Sequence, residues 1–332
     1  MTPHKDLADL FRADPKAFRS AVNALKAEAL PAGAEPPRTK YPLVMGGVLE
    51  HLGARNLEPI DAVPTPLPTW NRACRDEGGG VGPARGWNIT VAGNTGTGKS
   101  VFGLNLAASA VRHGEQVAYH SLEMSQAQLV TRTLAIVSGI SVRRLERGSD
   151  YSEADWRTAS LRMEEIREQS GGGLFVNEGP IHRLEDVVAA IRYQTEYHGC
   201  RFHVVDYLQL CRVAGAKDVV DAIPVVSENM RVLAKELGLV MVGLSQFNRE
   251  TSKNRQEKPQ VQGLMGGSSL ENDSDQVILL NHTKYSRNGF HADTEALLAK
   301  NRHGECGDIP VRWDYRTLTL TEAMGDAWEA AA

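Results

Sequence analysis

Residues 93–100 read GNTGTGKS, directly after the apolar run WNITVA at residues 87–92 and before a helical pattern spanning Ser100–His113. A strand that runs into a Gly-rich loop and then a helix is the arrangement that cradles phosphates. Gly93, Gly96 and Gly98 let the backbone curl until its N–H groups converge on phosphate oxygens. The helix that follows adds the positive end of its dipole. Lys99 is expected at the β- and γ-phosphates and the Ser100 hydroxyl on Mg²⁺. The whole binding stretch is Gly93, Asn94, Thr95, Gly96, Thr97, Gly98, Lys99, Ser100 and Val101.

The surrounding sequence supplies the sheet. Apolar, β-prone runs recur as QVAYHS, GLFVNE, FHVVDY, LVMVGLS, QVILLNH and ALLAKN. Helical patterns lie between many of them: Ser152–Gln169, headed by a Ser-x-x-Asp capping box, then Glu185–Tyr197 and Val225–Leu237. Apolar strands alternating with helices predict an α/β fold with a mostly parallel central sheet covered on both faces. The last stretch, DIPVRWDYRTLTLTE, has short strands with no helix between them, so antiparallel C-terminal hairpins are expected there.

Three more strands deliver polar residues to the edge where open parallel sheets bind ligands. FHVVD places Asp206 there to hold Mg²⁺, and His203 within that strand reads as a core histidine. QVAYHSLEMS leads to Glu123, a candidate general base for the attacking water, or a complement to a helix N-terminus. LVMVGLSQ ends at Gln246, placed to sense a γ-phosphate.

Composition bounds the rest. The 332 residues are 42% hydrophobic and 23% charged, with a net charge of −4. These are ordinary values for a globular chain, and no global basic field advertises nucleic acid. The four cysteines, Cys74, Cys200, Cys211 and Cys306, form no Cys-x-x-Cys pair and read as reduced thiols in a cytoplasmic protein. No apolar run approaches the ~20 residues of a membrane span.

Residues 4–29 carry an amphipathic pattern, with Leu7, Leu10, Phe11, Phe18, Val22 and Leu25 near one face. The Pro-rich LPAGAEPPRTKYP follows as a linker. Residues 1–56 are therefore expected to be a helical arm and linker that docks between subunits, and residues 57–332 the catalytic domain.

In order along the chain, PTPLPTWN, GNTGTGKS, SLEMS, VVDYLQL, LAKELGLVMVGLSQFNRE, SLENDSDQVILL and AKNRHG resemble the DnaB-type replicative helicase family of RecA-like ATPases. The resemblance implies ATP as the nucleotide, Mg²⁺ as the metal, Glu123 as catalytic base and Asp206 as metal-site acid. It also implies that Lys300 and Arg302 enter a neighbour's ATP site. Without the family, KNRHG reads as a solvated hairpin tip, and it also resembles the KNRFG motif of RadA-type ATPases.

A finger acting in trans requires a head-to-tail homo-oligomer, which the resemblance makes a hexameric ring threading single-stranded DNA. Two loops are candidates for the DNA contact: CRVAGAKDVVD with Arg212 and Lys217, and RETSKNRQEKPQVQG with Arg249, Lys253, Arg255 and Lys258. The second loop has no aromatic residue to stack on bases, so phosphate tracking is its expected mode, the alternative being an ordinary solvated loop.

Two departures stand out. Met265-Gly266 occupies a place where many family members carry Arg-Glu, and residues 1–56 are short for the family's helical collar. The expectation is a DNA helicase with replication partners such as a loader. The alternative is a RadA- or KaiC-like factor whose ATP state switches assembly without unwinding.

Overall fold

The computed structural model describes residues 61–74, 82–147, 152–177, 182–248, 260–285 and 291–323. The expected arm at 1–56 and the basic residues Arg249, Lys253, Arg255 and Lys258 lie outside them. The described residues belong to one compact unit, Asp61–Ala332.

Helix α1 (Pro68–Ala73) precedes β1 (Asn88–Gly93), α2 (Lys99–Arg112) and β2 (Gln116–Ser121). Helices α3 (Gln126–Ser138), α4 (Val142–Arg147) and α5 (Glu153–Ser170) lead to β3 (Gly173–Asn177), α6 (Leu184–His198) and β4 (Phe202–Asp206). Then come α7 (Val219–Leu237), β5 (Val240–Gln246), α8 (Gly267–Asp273) and strands β6 (Gln276–Tyr285), β7 (His291–Asn301), β8 (Gly307–Asp314) and β9 (Thr319–Glu322).

Among the described residues the strands form one sheet of order β3-β2-β4-β5-β1-β6-β7-β8-β9. The six from β3 to β6 run parallel. The last three turn antiparallel, as the helix-free C-terminal pattern requires.

Burial follows this division. β1 and β4 are buried at every residue, because helices cover both faces, whereas β8 alternates along its second half. Trp70, Phe102, Tyr119 and Trp313 fill one core, and Ile191, Ile223 and Met230 belong to the other. Each fully buried aliphatic or aromatic side chain contributes about 1.5–3 kcal/mol. Three cysteines are buried, and burial pushes their thiols up, Cys74 to about 11 and Cys200 and Cys211 to about 12.

Local chemistry sets the helix ends. Ser152 and Asp155 form the expected capping box, and Ser125 with Gln128 forms a second one that heads α3. Helix α7 begins at Val219 rather than at the expected Val225. The Asp218 side chain accepts the N–H groups of Val220 and Asp221 and starts the helix one and a half turns before Pro224. Pro224 is exposed, so the carbonyl its missing N–H leaves open is on the wet side. Gly266 has φ 79°, and a Cβ there would sit 2.4 Å from Ile223 Cγ2. The close seat of α8 on α7 thus excludes a side chain at the position where the family departure falls.

A polar chain crosses the sheet behind the carboxyl edge. His203 Nε2 lies 3.2 Å from the Cys200 carbonyl, so it carries the proton and donates. His203 Nδ1 is then the acceptor for His120 Nε2–H at 3.1 Å. His120 Nδ1 accepts from Asn177 Nδ2 at 3.2 Å, and Asn177 Oδ1 accepts from Gln194 Nε2 at 2.8 Å. Every proton is accounted for only while both rings are neutral.

Burial holds His120 well below the usual histidine range and His203 at about 4. Each group is depressed in the folded state, so the unfolded chain binds more protons between about 6.5 and 4. Stability is full above that window and is lost as pH falls through it, by about 2 kcal/mol for His203 at about pH 5, with His120 adding in the same direction. Urea midpoints should fall accordingly, with both rings neutral by NMR until unfolding. A ring that titrates near its free value in the folded protein would contradict the assignment.

Candidate nucleotide site

The carboxyl ends of β2, β4, β5 and β1 lie side by side in that order. The loop after β1 turns through Gly96 and Gly98, with φ of 83° and 87°. Thr97 closes it on the Asn94 carbonyl through both its N–H (3.2 Å) and its hydroxyl (2.8 Å). Gly98 is the N-cap of α2 and offers no side chain to cap the first-turn N–H groups. An uncapped helix start beside a lysine, a hydroxyl and a carboxylate is a donor set suited to a phosphate with a divalent cation.

Lys99 is buried, and its Nζ donates to the carbonyls of Gly93 (3.0 Å) and Asn94 (2.9 Å). Burial lowers it to about 8, against the opposing charges of Asp206 and Glu123. Asp206 is 1% exposed at the end of β4 and accepts from the Tyr119 hydroxyl at 2.7 Å. Burial pushes its carboxyl up, while hydrogen bonds from Tyr119 and Ser100 and the charges of Lys99 and Arg132 pull it back.

Glu123 is exposed on a turn clipped to β4, where Leu122 N–H donates to the Asp206 carbonyl at 2.7 Å. The Ser121 hydroxyl tightens that turn by accepting Met124 N–H and donating to its carbonyl. Lys99, Ser100, Glu123 and Asp206 therefore share one locality.

Gln246 ends β5, half-buried and bonded through its side chain to Tyr207. Three participants went unread in the sequence: Tyr119, Arg132 and Gln209. Tyr119 sits within a strand that reads as apolar, and Arg132 within helix α3, which is not among the helical patterns read in the sequence. Gln209 follows Asp206 in DYLQL and bonds the backbone of Gln246.

Lys300 and Arg302 stand elsewhere. Asn301 pairs with Gln276, which pairs with Ile89 at the start of β1, so this tip lies at the opposite end of β1 from Gly93. Five strand steps separate Asn88 from Gly93, about 17 Å. Lys300 Nζ donates to the Glu271 carbonyl and Arg302 to the Asn272 carbonyl. Arg302 also pairs with buried Asp275 at 3.5 Å, and His303 stacks on Trp87 with ring centres 4.1 Å apart. Asp275 in turn accepts Asn88 N–H at 2.9 Å, which ties the tip to β1. Burial, then the charge of Arg302, lowers Lys300.

Arg212 and Lys217 are both exposed on the segment after β4. The first expected loop is shorter than its sequence suggests, since Val219–Asp221 belong to α7. Among the described residues no helix is long and apolar enough to cross a membrane.

Residues 81–322 match the family model described as DnaB-like helicase C terminal domain. The replicative DNA helicase DnaB of Geobacillus stearothermophilus is 30% identical over 232 residues, covering 67% of this chain and 49% of that protein. The replicative DNA helicase DnaB of Mycobacterium intracellulare is 33% identical over 221 residues, covering 65% of this chain and 37% of its own. This chain spans about half the length, or less, of these two relatives. A solved DnaB-like replicative helicase, studied with its interactions with primase, superposes with a TM-score of 0.70 at 22% identity, covering 96% of this chain and 74% of that one.

Proposed function

This chain belongs to the DnaB-like helicase C-terminal domain family, and we propose that it is an ATP-driven, ring-forming motor on single-stranded DNA that separates strands in DNA replication. One observation carries the reading most directly. The phosphate loop and the Lys300–Arg302 tip occupy opposite ends of β1, so no single chain can bring both to one nucleotide. Head-to-tail neighbours can, and repetition of that contact closes a homo-oligomeric ring, by family analogy a hexamer.

Within one subunit, Lys99 and the uncapped start of α2 bind the β- and γ-phosphates. Ser100 and Asp206 are the residues that would hold Mg²⁺, which when bound neutralises phosphate charge. Glu123, exposed yet held beside Asp206 by its turn, polarises the attacking water. Gln246 senses the γ-phosphate, and Arg302 with Lys300 completes the neighbour's site.

Arg212 and Lys217, with Arg249, Lys253, Arg255 and Lys258, track DNA phosphates. Residues 1–56 act as the inter-subunit docking arm, and a loader and other replication proteins of the cytoplasm are the partners. The family match favours this motor over an ATP-switched assembly factor. Displacement of a strand from forked DNA separates the two.

A further inference from the structure

We infer that Gln209 is a positioning residue that ties Gln246 to both loops assigned to single-stranded DNA, an inference that rests on the motor reading above. Strand pairing between β4 and β5 ends at Val205–Gly243. Beyond that register the Gln209 side chain takes over. Its Nε2 donates to Ser245 Oγ at 2.8 Å, and its Oε1 accepts Gln246 N–H at 3.2 Å. One planar amide thus grips two consecutive residues of β5, including the residue proposed to feel the γ-phosphate. The turn that carries Gln209 is itself seated on β5, because Leu208 packs where a Cβ on Gly243 would lie 2.9 Å from Leu208 Cδ1.

From this turn the chain reaches the first loop in three residues. Arg212 N–H donates to the His182 carbonyl, and its own carbonyl accepts Leu184 N–H at 2.9 Å. An open surface groove of about 650 Å³ borders this segment, lined by Gln209, Cys211, Arg212, Asp218 and Ala222 among others.

The second loop is rooted on the same residue. The Gln246 carbonyl accepts Met265 N–H at 3.4 Å, and Asn248 N–H donates to the Gly263 carbonyl at 2.9 Å, closing the stem. The main chain of Gln246 is therefore shared, with the first loop reached through its N–H and the second through its carbonyl. Gln209 Nε2 also lies 3.5 Å from that carbonyl, so the one amide touches both links.

Coupling between two sites is reciprocal, so a nucleotide-driven change in DNA affinity and a DNA-driven change in nucleotide affinity are the same factor, typically about 5–150-fold. Gln209→Ala removes all three bonds to Ser245 and Gln246 of β5. Gln209→Glu keeps the acceptor for Gln246 N–H, and the Ser245 hydroxyl can turn to donate to it.

The full chain is assayed for binding to a fluorescent oligo-dT, with a non-hydrolysable ATP analogue and with ADP. The readout is the ratio of the two affinities, which a merely structural defect would not move toward unity. Gln209→Ala should bring the ratio to about 1, and Gln209→Glu should restore at least half of the wild-type ratio. If Gln209→Ala does not fold, Ser245→Ala, which loses the 2.8 Å bond to Ser245 Oγ, decides through a ratio reduced below wild type. An unchanged ratio in the folded Ala variant, or in Ser245→Ala where that decides, overturns the inference, as does a Glu variant as uncoupled as Ala. A wild-type chain with no difference between the nucleotides overturns the motor reading instead.

Discussion

Arg302→Ala should lower ATP turnover by about 10³–10⁵-fold while ATP binding persists. The loss follows from the role proposed for Arg302, stabilising charge on the phosphoryl group transferred in a neighbouring subunit. Its position requires the second part: it is held by Asp275 and the Asn272 carbonyl at the far end of β1 from Lys99. Lys99→Ala should fail for the opposite reason, since it removes a charge-assisted phosphate contact from a buried site.

Mixed together, the two inactive proteins should recover activity. An interface between an intact finger and an intact loop arises in about one quarter of contacts in a random, head-to-tail equimolar mixture. Phosphate release measured against mixing ratio should therefore rise from near zero to a maximum at intermediate ratios. A flat line at every ratio would sink the trans assignment.

Glu123→Gln should bind ATP normally and turn it over about 10²–10⁴-fold more slowly. The amide matches the carboxylate in shape but cannot take a proton from water. The turn should survive, because Leu122 N–H to the Asp206 carbonyl and the Ser121–Met124 bonds do not involve the Glu123 side chain. Equilibrium binding of a fluorescent ATP analogue, paired with single-turnover hydrolysis, measures both halves. Near-normal turnover would move the base to another residue.

The sequence made the parallel sheet and its ligand edge legible because buried parallel strands are continuous apolar runs that end abruptly in polar residues. Asp206, Glu123 and Gln246 each follow such a run, and the loop at 93–100 fixes where the first one ends. What lay hidden was set by tertiary contact. Tyr119 reads as one more apolar strand residue until β2 lies beside β4 and its hydroxyl meets Asp206. Arg132 and Gln209 likewise acquire their meaning from what faces them across the sheet edge.

Helix boundaries failed where a local competitor won. Pro224 looks like a stop, yet the Asp218 cap starts α7 earlier and leaves the proline exposed within it. The Met265-Gly266 departure became intelligible only with Ile223 packed against the glycine. Helix α3, headed by a Ser125–Gln128 capping box, and the short α4 were not among the helical patterns read, and neither contributes a strand-end signal.

The central claim is that ATP hydrolysis at a shared interface moves the protein along one DNA strand and displaces the other. Strand displacement on a forked duplex with a free 5′ tail tests it most directly. Release of the labelled strand should require ATP and Mg²⁺ and should vanish with a non-hydrolysable analogue and with Lys99→Ala. ATP-dependent assembly on the fork with no strand released at any protein concentration would contradict the account and leave an ATP-switched binding protein in its place.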